Sequence, residues 1–380
     1  MRLQPRDHRD MTYQGFEQGP IRPPSEARSL LLRVTRNCPW NHCTFCPVYK
    51  GARFSVRPVA HILRDIDAVY EAAQQLREGP REPALMGPAE GDPRTWAAAR
   101  NWGRYGRRQV FLQDANSLVA DPGHLTAILR HLKARFPEVT RITSYARSST
   151  IANLDAGALA DLRGAGLSRI HIGMESGANE VLKMVRKGAT QRLHIRAGLK
   201  VKAAGMELSE YYMPGLGGRL RLEVNAVETA AALNQINPDF IRLRTLAIPT
   251  HIPLYEDFAA GRFHKATDVE TAQELLLFLE SLSGITSALR SDHILNLLPE
   301  VDGQLPQDQA RLMGIVSAFL HLSPELQFIY RVGRRTGILS ELGDLADPGK
   351  IARVEGVCRE YGLRPDDVDA VTDDLMRRFI

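Results

Sequence analysis

Three of the four cysteines in the chain, Cys38, Cys43 and Cys46, lie within a window of nine residues. Thiolates are the usual ligands of iron-sulfur clusters and of structural zinc, so this spacing predicts a metal-binding loop. A closed zinc site needs a fourth ligand, and the position of His42 among the thiolates suits a tight tetrahedron poorly. A cubane cluster on three cysteines keeps one iron open for a small molecule. The loop favours such a cluster, with zinc and unligated thiols as the alternatives.

The residues around these cysteines resemble the cluster loop of the radical S-adenosylmethionine (SAM) superfamily. The spacing is C-x4-C-x2-C with Phe45 directly before the last cysteine, a variant of the usual C-x3-C-x-aromatic-C order. The resemblance implies an oxygen-sensitive [4Fe-4S] cluster on Cys38, Cys43 and Cys46, with SAM on its open iron and Phe45 beside the cofactor. Because Cys358 is the one remaining cysteine, the chain lacks the ligands for an auxiliary cluster.

Three further stretches resemble the core of Elp3, the methylthiotransferases and the oxygen-independent coproporphyrinogen oxidases. They are residues 110–116, 173–188 and 211–218. Gln113-Asp114 stands where the family often has Gly-Gly-Glu. The resemblance implies that Asp114 binds the ammonium group of SAM and that Glu175 binds its ribose or its amino-acid end. The planar fork of Arg147 suits the SAM carboxylate. The predicted SAM-binding residues are Phe45, Asp114, Asn116, Arg147, Glu175 and Tyr211.

Arg242, Arg244 and His293 are the candidates for catalysis and substrate contact. The two guanidinium groups suit a substrate carboxylate or phosphate. His293 lies beside Asp292 and could donate a proton late in the reaction. The alternatives are an internal salt-bridge network for the arginines and a satisfied histidine at a helix start for His293.

The pattern of the elements that must position these residues predicts a partial barrel. Six short apolar stretches alternate with helical patterns, which predicts parallel strands joined by right-handed crossovers. The strands are predicted at residues 30–35, 110–113, 142–146, 170–174, 208–213 and 240–246. We predict an α/β fold: an extended lead-in (1–28), a partial (βα)6 barrel (29–250) and a mostly helical C-terminal region of unassigned role (251–380).

Charged and polar residues alternate with apolar ones along these strands. Burying such charges without partners costs free energy, so they must pair, face water or bind a ligand. The pattern predicts either a polar ligand cavity or an internal salt-bridge network. The polar positions are Arg33, Thr35, Thr143, Tyr145, Arg147, His171, Glu175, Arg242 and Arg244. Ser55 is predicted to cap the first helix, and residues 79–94 to form a loop.

The 380 residues have the composition of an ordinary globular protein, with 44% hydrophobic and 24% charged residues. No 18-residue apolar run and no signal peptide is found, and bunched thiols favour a reducing compartment, so we expect a cytoplasmic protein without membrane contact. The net charge of +5 is modest, and Arg104, Arg107 and Arg108 form its one tight cluster. Nucleic acid is therefore a minor alternative as a partner, behind a small-molecule substrate, for which an anionic group would be suited.

The expected activity is the reductive cleavage of SAM to a 5'-deoxyadenosyl radical, which abstracts hydrogen from an unidentified substrate. The resemblance implies a flavodoxin- or ferredoxin-like electron donor. The first alternative is a chaperone-like protein that binds SAM, haem or a cluster without turnover. The second is a zinc-dependent RNA-binding protein.

Overall fold

The computed structural model describes residues 12–78 and 92–377 and divides into two compact units. The first unit comprises Met1–Asn41, Val48–Ile172 and Leu199–Leu208. The second comprises His42–Pro47, Gly173–Gly198 and Ser209–Ile380. Each unit is described by itself. Cys38 belongs to the first unit, and Cys43 and Cys46 belong to the second.

The strands form one sheet of eight strands and one of two, and the larger sheet has the order β1-β4-β5-β6-β7-β8-β9-β10. Parallel pairing joins β1 to β4, β4 to β5, β5 to β6, β7 to β8 and β8 to β9, whereas β9 and β10 are antiparallel. In chain order the strands are β1 (Leu30–Arg33), β2 (Thr35–Arg36), β3 (Ser55–Val56), β4 (Gln109–Gln113), β5 (Arg141–Ala146), β6 (Leu167–Glu175), β7 (Glu207–Tyr212), β8 (Phe240–Leu243), β9 (Ala288–Arg290) and β10 (Gly303–Gln304).

Helices follow most of these strands, as right-handed crossovers between parallel strands require. They are α1 (Val59–Glu78), α2 (Pro93–Gly103), α3 (Pro122–Arg135), α4 (Ser148–Asn153), α5 (Ala156–Gly164), α6 (Asn179–Met184), α7 (Gln191–Ala203), α8 (Leu222–Ile236), α9 (Pro253–Ala259), α10 (Asp268–Ser281), α11 (Gln309–Leu320), α12 (Pro324–Thr336), α13 (Pro348–Tyr361) and α14 (Val368–Arg377). The predicted class, an α/β sheet of mostly parallel strands with a helical C-terminal region, is confirmed. The C-terminal region also adds β9 and β10 to the sheet.

Two local predictions differ from the structure. Ser55 does not cap the first helix: it lies in β3 opposite Arg36, and α1 begins at Val59, just after Pro58. Proline fixes φ near the helical value, which makes it a common residue in the first helical turn. The predicted loop at 79–94 lies mostly outside the described residues, and α2 begins within its last two residues behind the N-cap Asp92.

In the first unit, the core of the sheet is almost completely buried. Leu30, Leu32, Val110, Leu112 and Ile142 are each at most 1% exposed. Burial of a branched side chain of this kind contributes about 1.5–3 kcal/mol, so these strands hold the end of β1 firmly. The cysteine segment starts a few residues after that end.

In the second unit, an apolar cluster lies against the segment that carries Cys43 and Cys46. Phe45 is 8% exposed and packs with buried residues of α6 and of the segment after β8. The buried members include Val181, Val185, Leu246 and Ile248. The side chains of Cys43 and Cys46 pack against this cluster.

Among the described residues, no single helix is long and apolar enough to cross a membrane. The helices α11 and α12, which meet at an angle of 111°, pass the same test of length and composition only as a pair.

Candidate functional site

In the first unit, Asp114 ties the end of β4 to the start of the cysteine loop. Its side chain is fully buried and forms an ion pair with Arg33, with Nη2 at 2.6 Å. The backbone N–H of Asn37 donates to it at 3.0 Å, and the Tyr49 hydroxyl donates at 3.0 Å. Asn37 directly precedes Cys38, so these contacts position the first cysteine. The predicted contact of Asp114 with the SAM ammonium stays a prediction, whereas the contacts within the protein favour a positioning role.

Asn116 and Arg147 lie together at the ends of β4 and β5. The Asn116 amide donates to the Thr150 hydroxyl at 2.8 Å and accepts from the backbone N–H of Arg147 at 3.1 Å. The Arg147 guanidinium is half-buried and stacks over the Trp40 ring, 4.9 Å from its centroid. Trp40 lies in the cysteine loop, so Arg147 is held against the loop that contains Cys38.

The polar residues of the first unit's strands pair with residues of the lead-in. Glu17 accepts from Arg33 at 2.8 Å and from Arg36 at 2.8 Å. Glu26 is fully buried and lies 3.6 Å from Nε2 of His171. Burial alone raises the pKa of Glu26, but the attraction of His171 and the charge of Arg141 outweigh it and lower the pKa below its usual value. In this unit these charged residues pair with one another, as expected for an internal salt-bridge network and not for a ligand cavity.

In the second unit, Cys43 and Cys46 are both half-buried, in a segment held by two backbone hydrogen bonds at Thr44. The Thr44 N–H donates to the Val185 carbonyl at 3.0 Å, and the Leu254 N–H donates to the Thr44 carbonyl at 3.1 Å. The segment therefore has defined neighbours on both sides. All four cysteines of the chain are thiols, and the fourth, Cys358, is buried in α13.

Two carboxylates and one ammonium group converge at the ends of β6 and β7 in the second unit. Glu175 ends β6 with φ of +66°, and its carboxylate lies 3.2 Å from Nζ of Lys187. The Met213 N–H donates to the Glu175 carbonyl at 2.9 Å, which joins the two strand ends. Lys187 also lies over the Phe45 ring, 5.8 Å from its centroid. The structure thus brings together two predicted SAM-binding residues, Phe45 and Glu175.

The third member of this group, Glu210 in β7, is a residue that the sequence analysis missed. It is 0% exposed, and neither carboxylate oxygen has a hydrogen-bond partner among the described residues. Burial, and then the charge of Glu175, raise the pKa of Glu210 well above its usual value, while Lys187 opposes the shift. Buried polar atoms are nearly always satisfied, so a ligand with hydrogen-bond donors would suit these two oxygens. A charged residue inside an otherwise buried strand was the available signal.

Arg242, Arg244 and Tyr211 also lie close together in the second unit. Both guanidinium groups pair with Asp292, Arg244 at 3.3 Å, and Nε of Arg242 donates to the Ser209 hydroxyl at 3.2 Å. Arg244 stacks over the Tyr211 ring, 4.2 Å from its centroid. The cluster of Arg242, Arg244 and Asp292 carries a net positive charge. Asp292 comes from the C-terminal region, which therefore supplies the counter-ion of the β8 arginines.

The surroundings of His293 favour its neutral imidazole. Burial, and then the charge of Arg244, lower its pKa to about 4, although Asp292 acts in the opposite direction. Its Nδ1 accepts from the Leu295 N–H at 3.4 Å, which leaves the ring proton on Nε2. A proton donated from His293 at neutral pH would therefore come from a neutral ring, which is a weak acid.

The residues present fit the cofactors that the sequence predicts. Three thiols in one loop match the donor set of a [4Fe-4S] cluster with an open iron. The buried oxygens of Glu210, beside Glu175 and Lys187, match a ligand that has both hydroxyl or ammonium donors and a carboxylate. Within residues 12–78 and 92–377, no group of three or more His, Cys, Asp or Glu side chains is arranged to hold a single metal ion.

Several known proteins are similar to parts of the chain. The tRNA uridine(34) acetyltransferase of Methanocaldococcus infernus is 25% identical over 118 residues, which are 31% of this chain and 22% of that protein. The chain thus spans about a fifth of that relative's length. The structure of M. infernus Elp3 with an N-terminal deletion has a TM-score of 0.43 at 15% identity, over 59% of this chain and 57% of Elp3. Methylornithine synthase (PylB) has a TM-score of 0.42 at 14% identity, over 70% of this chain and 67% of PylB.

The sequence profile of the Radical SAM superfamily matches residues 32–227, just over half of the 380 residues. The matched region contains the cysteine loop, Asp114, Glu175, Lys187 and Glu210. The match confirms the predicted family and, with it, the predicted cofactors, because the superfamily uses a [4Fe-4S] cluster and SAM. The chain belongs to the radical SAM superfamily.

Proposed function

We propose that this chain is an enzyme that cleaves SAM reductively and uses the product to abstract hydrogen from a substrate. The observation that carries the proposal is the pair of buried Glu210 oxygens without partners, next to Glu175 and Lys187 and in the same unit as Cys43 and Cys46. A buried, unsatisfied carboxylate lowers stability, and such costs are retained mainly where a ligand is bound.

The thiolates of Cys38, Cys43 and Cys46 are the proposed cluster ligands. A [4Fe-4S] cluster with SAM on its open iron supplies one-electron cleavage of SAM and, from it, hydrogen abstraction. The protein's part is to orient the ligands and exclude water. Asp114 acts on the loop through the Asn37 N–H, and the contact between Thr44 and Val185 fixes the second half of the loop.

Glu175, Glu210 and Lys187 are proposed to hold SAM. The two carboxylates would accept hydrogen bonds from the ribose hydroxyls or the ammonium group, and Lys187 would face the carboxylate. Phe45, which is stacked with Lys187, would cover the apolar side of the cofactor. The predicted roles of Asn116, Arg147 and Tyr211 toward SAM remain part of this proposal. Arg147 and Lys187 are then two candidates for the same carboxylate.

The cluster of Arg242, Arg244 and Asp292 is the proposed site of substrate contact. Its net positive charge favours a substrate with an anionic group, such as a carboxylate or a phosphate. His293 is a candidate for the final proton transfer through its Nε2–H, although its low pKa makes it a weak donor. The proposed partners are a small-molecule substrate and a reducing electron donor. The bunched thiols, which an oxidising compartment would crosslink, support the cytoplasm as the place of action.

The test is an anaerobic reconstitution with iron and sulfide, followed by SAM and dithionite. We expect about four irons and four sulfides per chain and 5'-deoxyadenosine by mass spectrometry. Replacing Cys38, Cys43 and Cys46 with Ala should abolish both. Cys358→Ala is the matched control, because it removes a thiol outside the loop, and it should change neither.

Each other outcome selects an alternative. A cluster that binds SAM without forming 5'-deoxyadenosine would favour the chaperone-like protein. Zinc without sulfide would overturn the assignment of the cysteine loop. Iron binding that survives the triple substitution would show that the ligands lie elsewhere.

A further inference from the structure

The segment 179–198, which runs from the start of α6 through the connection into α7, has an excess of positive charge. Residues 179–198 contain five Lys or Arg residues and one Glu, a net charge of +4, whereas the whole chain has +5. Four of the five cations, Lys183, Arg186, Arg192 and Arg196, are exposed. We refer to these four residues as the α6–α7 basic face. Like charges repel, so such a concentration needs a reason other than folding.

The α6–α7 basic face lies beside the segment with Cys43 and Cys46, within the same unit. The Thr44 N–H donates to the carbonyl of Val185, which immediately precedes Arg186. Val181, Met184 and Val185 pack in the apolar cluster against the two cysteines. One side of α6 thus contacts the cluster-binding segment while Lys183 faces solvent.

The two helices form one continuous surface. The Gln191 N–H at the start of α7 donates to the Asn179 side chain at the start of α6, at 2.9 Å. His194 and Ala197 of α7 are buried at 1% and 0% exposure. Arg192 and Arg196 lie one turn apart on the exposed side. Lys183 of α6 and Arg192 and Arg196 of α7 are therefore exposed on two helices that are joined by this hydrogen bond.

We propose that the α6–α7 basic face is the docking surface for the electron donor, a one-electron carrier protein with an acidic surface around its redox centre. This inference rests on the proposed function, because only an enzyme that cleaves SAM reductively needs such a donor. On docking, the reduced carrier would lose one electron, and a cluster held by the cysteine loop would gain it. The donor must arrive beside that loop, and the described surface of α6 and α7 there is basic.

The kind of surface also fits a transient electron-transfer complex. Such complexes are small, under about 1,200 Å² of buried area, and depend on charge complementarity more than on apolar burial. The basic face offers charge without a large apolar patch. An RNA partner could also use cations, but the short extent of this face and its position beside the cysteine segment favour a redox partner.

The test compares two reductants on the same reconstituted enzyme. Lys183→Glu with Arg192→Glu reverses two charges of the face and leaves Lys187 and the cysteines intact. The control is Arg130→Glu with Arg353→Glu, two exposed residues of α3 and α13, which changes the net charge equally. Binding of purified oxidised flavodoxin is measured directly, and 5'-deoxyadenosine is measured with reduced flavodoxin and, separately, with dithionite. Lys183→Gln with Arg192→Gln serves as a milder variant.

We expect the charge reversal to weaken flavodoxin binding and to lower the flavodoxin-driven rate by about tenfold or more at low salt. The dithionite-driven rate should stay within twofold of wild type, and the control variant should behave as wild type in both assays. Wild-type binding should also weaken with added salt. The neutralised variant should fall between wild type and the charge reversal.

Three results would overturn the proposal. The first is that the charge-reversed and control variants bind flavodoxin equally well. The dithionite-driven rate could fall as much as the flavodoxin-driven rate, which would place these cations in the SAM site or the fold. Binding of an unmodified tRNA transcript could be lost while flavodoxin binding is kept, which would assign the face to nucleic acid. If wild type forms no 5'-deoxyadenosine with dithionite, the proposed function fails, and the flavodoxin affinity alone still decides about the face.

Discussion

Replacing the buried carboxylate of Glu210 should stabilise the ligand-free protein and weaken its binding of SAM. Neither oxygen of Glu210 has a hydrogen-bond partner among the described residues, and Glu175 adds a like charge nearby. An unsatisfied buried polar group costs about 1–3 kcal/mol in proteins. Glu210→Leu removes that cost, and Glu210→Gln removes the ionisation alone.

The contribution of Glu210 to the free energy of unfolding should change with pH in one direction. The pKa of Glu210 is raised above the usual 4.5 by burial and by Glu175. Below pH 4.5 the carboxyl is protonated in both the folded and the unfolded chain, so it adds no pH dependence. As the pH rises from there, the unfolded chain releases the proton and the folded chain keeps it. Stability is then lost by about 1.4 kcal/mol per pH unit, until the folded pKa is reached. Glu210→Gln should abolish this slope.

The assay is urea unfolding of the cluster-free protein between pH 4 and pH 8, with calorimetric titration of SAM onto the reconstituted protein. The free energy of unfolding of Glu210→Gln should exceed that of wild type by an amount that grows with pH. Loss of a hydrogen bond is worth about 0.5–1.5 kcal/mol, so Glu210→Leu should weaken SAM binding by about 2- to 10-fold.

Glu274 provides a matched control, because it is a buried carboxylate whose hydrogen bonds are satisfied. It accepts from the Tyr212 hydroxyl at 2.6 Å, the Asn225 amide at 2.6 Å and the Gly215 N–H at 2.8 Å. In Glu274→Gln one donor would face the new NH2 group, so stability should fall by about 1–3 kcal/mol. A loss of stability in Glu210→Gln similar to that in Glu274→Gln, or SAM binding unchanged in Glu210→Leu, would refute the reasoning.

Three further variants test neighbouring parts of the site. Lys187→Met removes the cation 3.2 Å from Glu175 and should weaken SAM binding by about tenfold or more in calorimetry; an unchanged affinity would leave Arg147 as the carboxylate ligand. Asp114→Asn leaves Glu17 as the remaining carboxylate partner of Arg33 and should lower the free energy of unfolding in urea by about 1–3 kcal/mol, and a loss under about 0.5 kcal/mol would contradict that role. The imidazole of His293 should titrate near pH 4 by NMR. Because its folded pKa lies below the unfolded value of 6.5, the stability that it contributes should be lost as the pH falls from 6.5 towards 4. A midpoint near 6.5 would show that burial and Arg244 do not lower its pKa.

The sequence predicted the strands better than the contacts between their side chains. Short stretches with apolar residues at many alternate positions, set between helical patterns, locate β1, β4, β5, β6, β7 and β8, because a strand in a buried sheet needs such positions. The prediction that Ser55 caps the first helix was wrong, because a serine before a helical pattern suits both a helix cap and a strand end. A two-residue pairing such as β2 with β3 depends on contacts between distant segments, which periodicity does not encode.

The site residues divide in the same way. The cysteines and Glu175 stand in motifs whose spacing is local, so they could be found from the sequence. Lys187 and Glu210 are 23 positions apart and influence each other only through the fold, and a sequence gives no measure of whether a carboxylate oxygen has a partner. The α6–α7 basic face was missed for a related reason. Its cations are spread over 14 positions on two helices, and the hydrogen bond between Gln191 and Asn179 that joins these helices is not encoded by local periodicity.

The charges along the strands are neutralised by residues from outside the strands, and this argues for the place of the ligand. In the first unit the lead-in supplies Glu17 to Arg33 and Arg36, and in the second the C-terminal region supplies Asp292 to Arg242 and Arg244. Both flanking regions therefore contribute counter-ions and do not merely extend the barrel. Glu210 differs, because no described residue donates a hydrogen bond to it. This difference is why we propose Glu210 as a ligand contact, since a ligand with hydroxyl or ammonium donors would supply the hydrogen bonds that its oxygens accept.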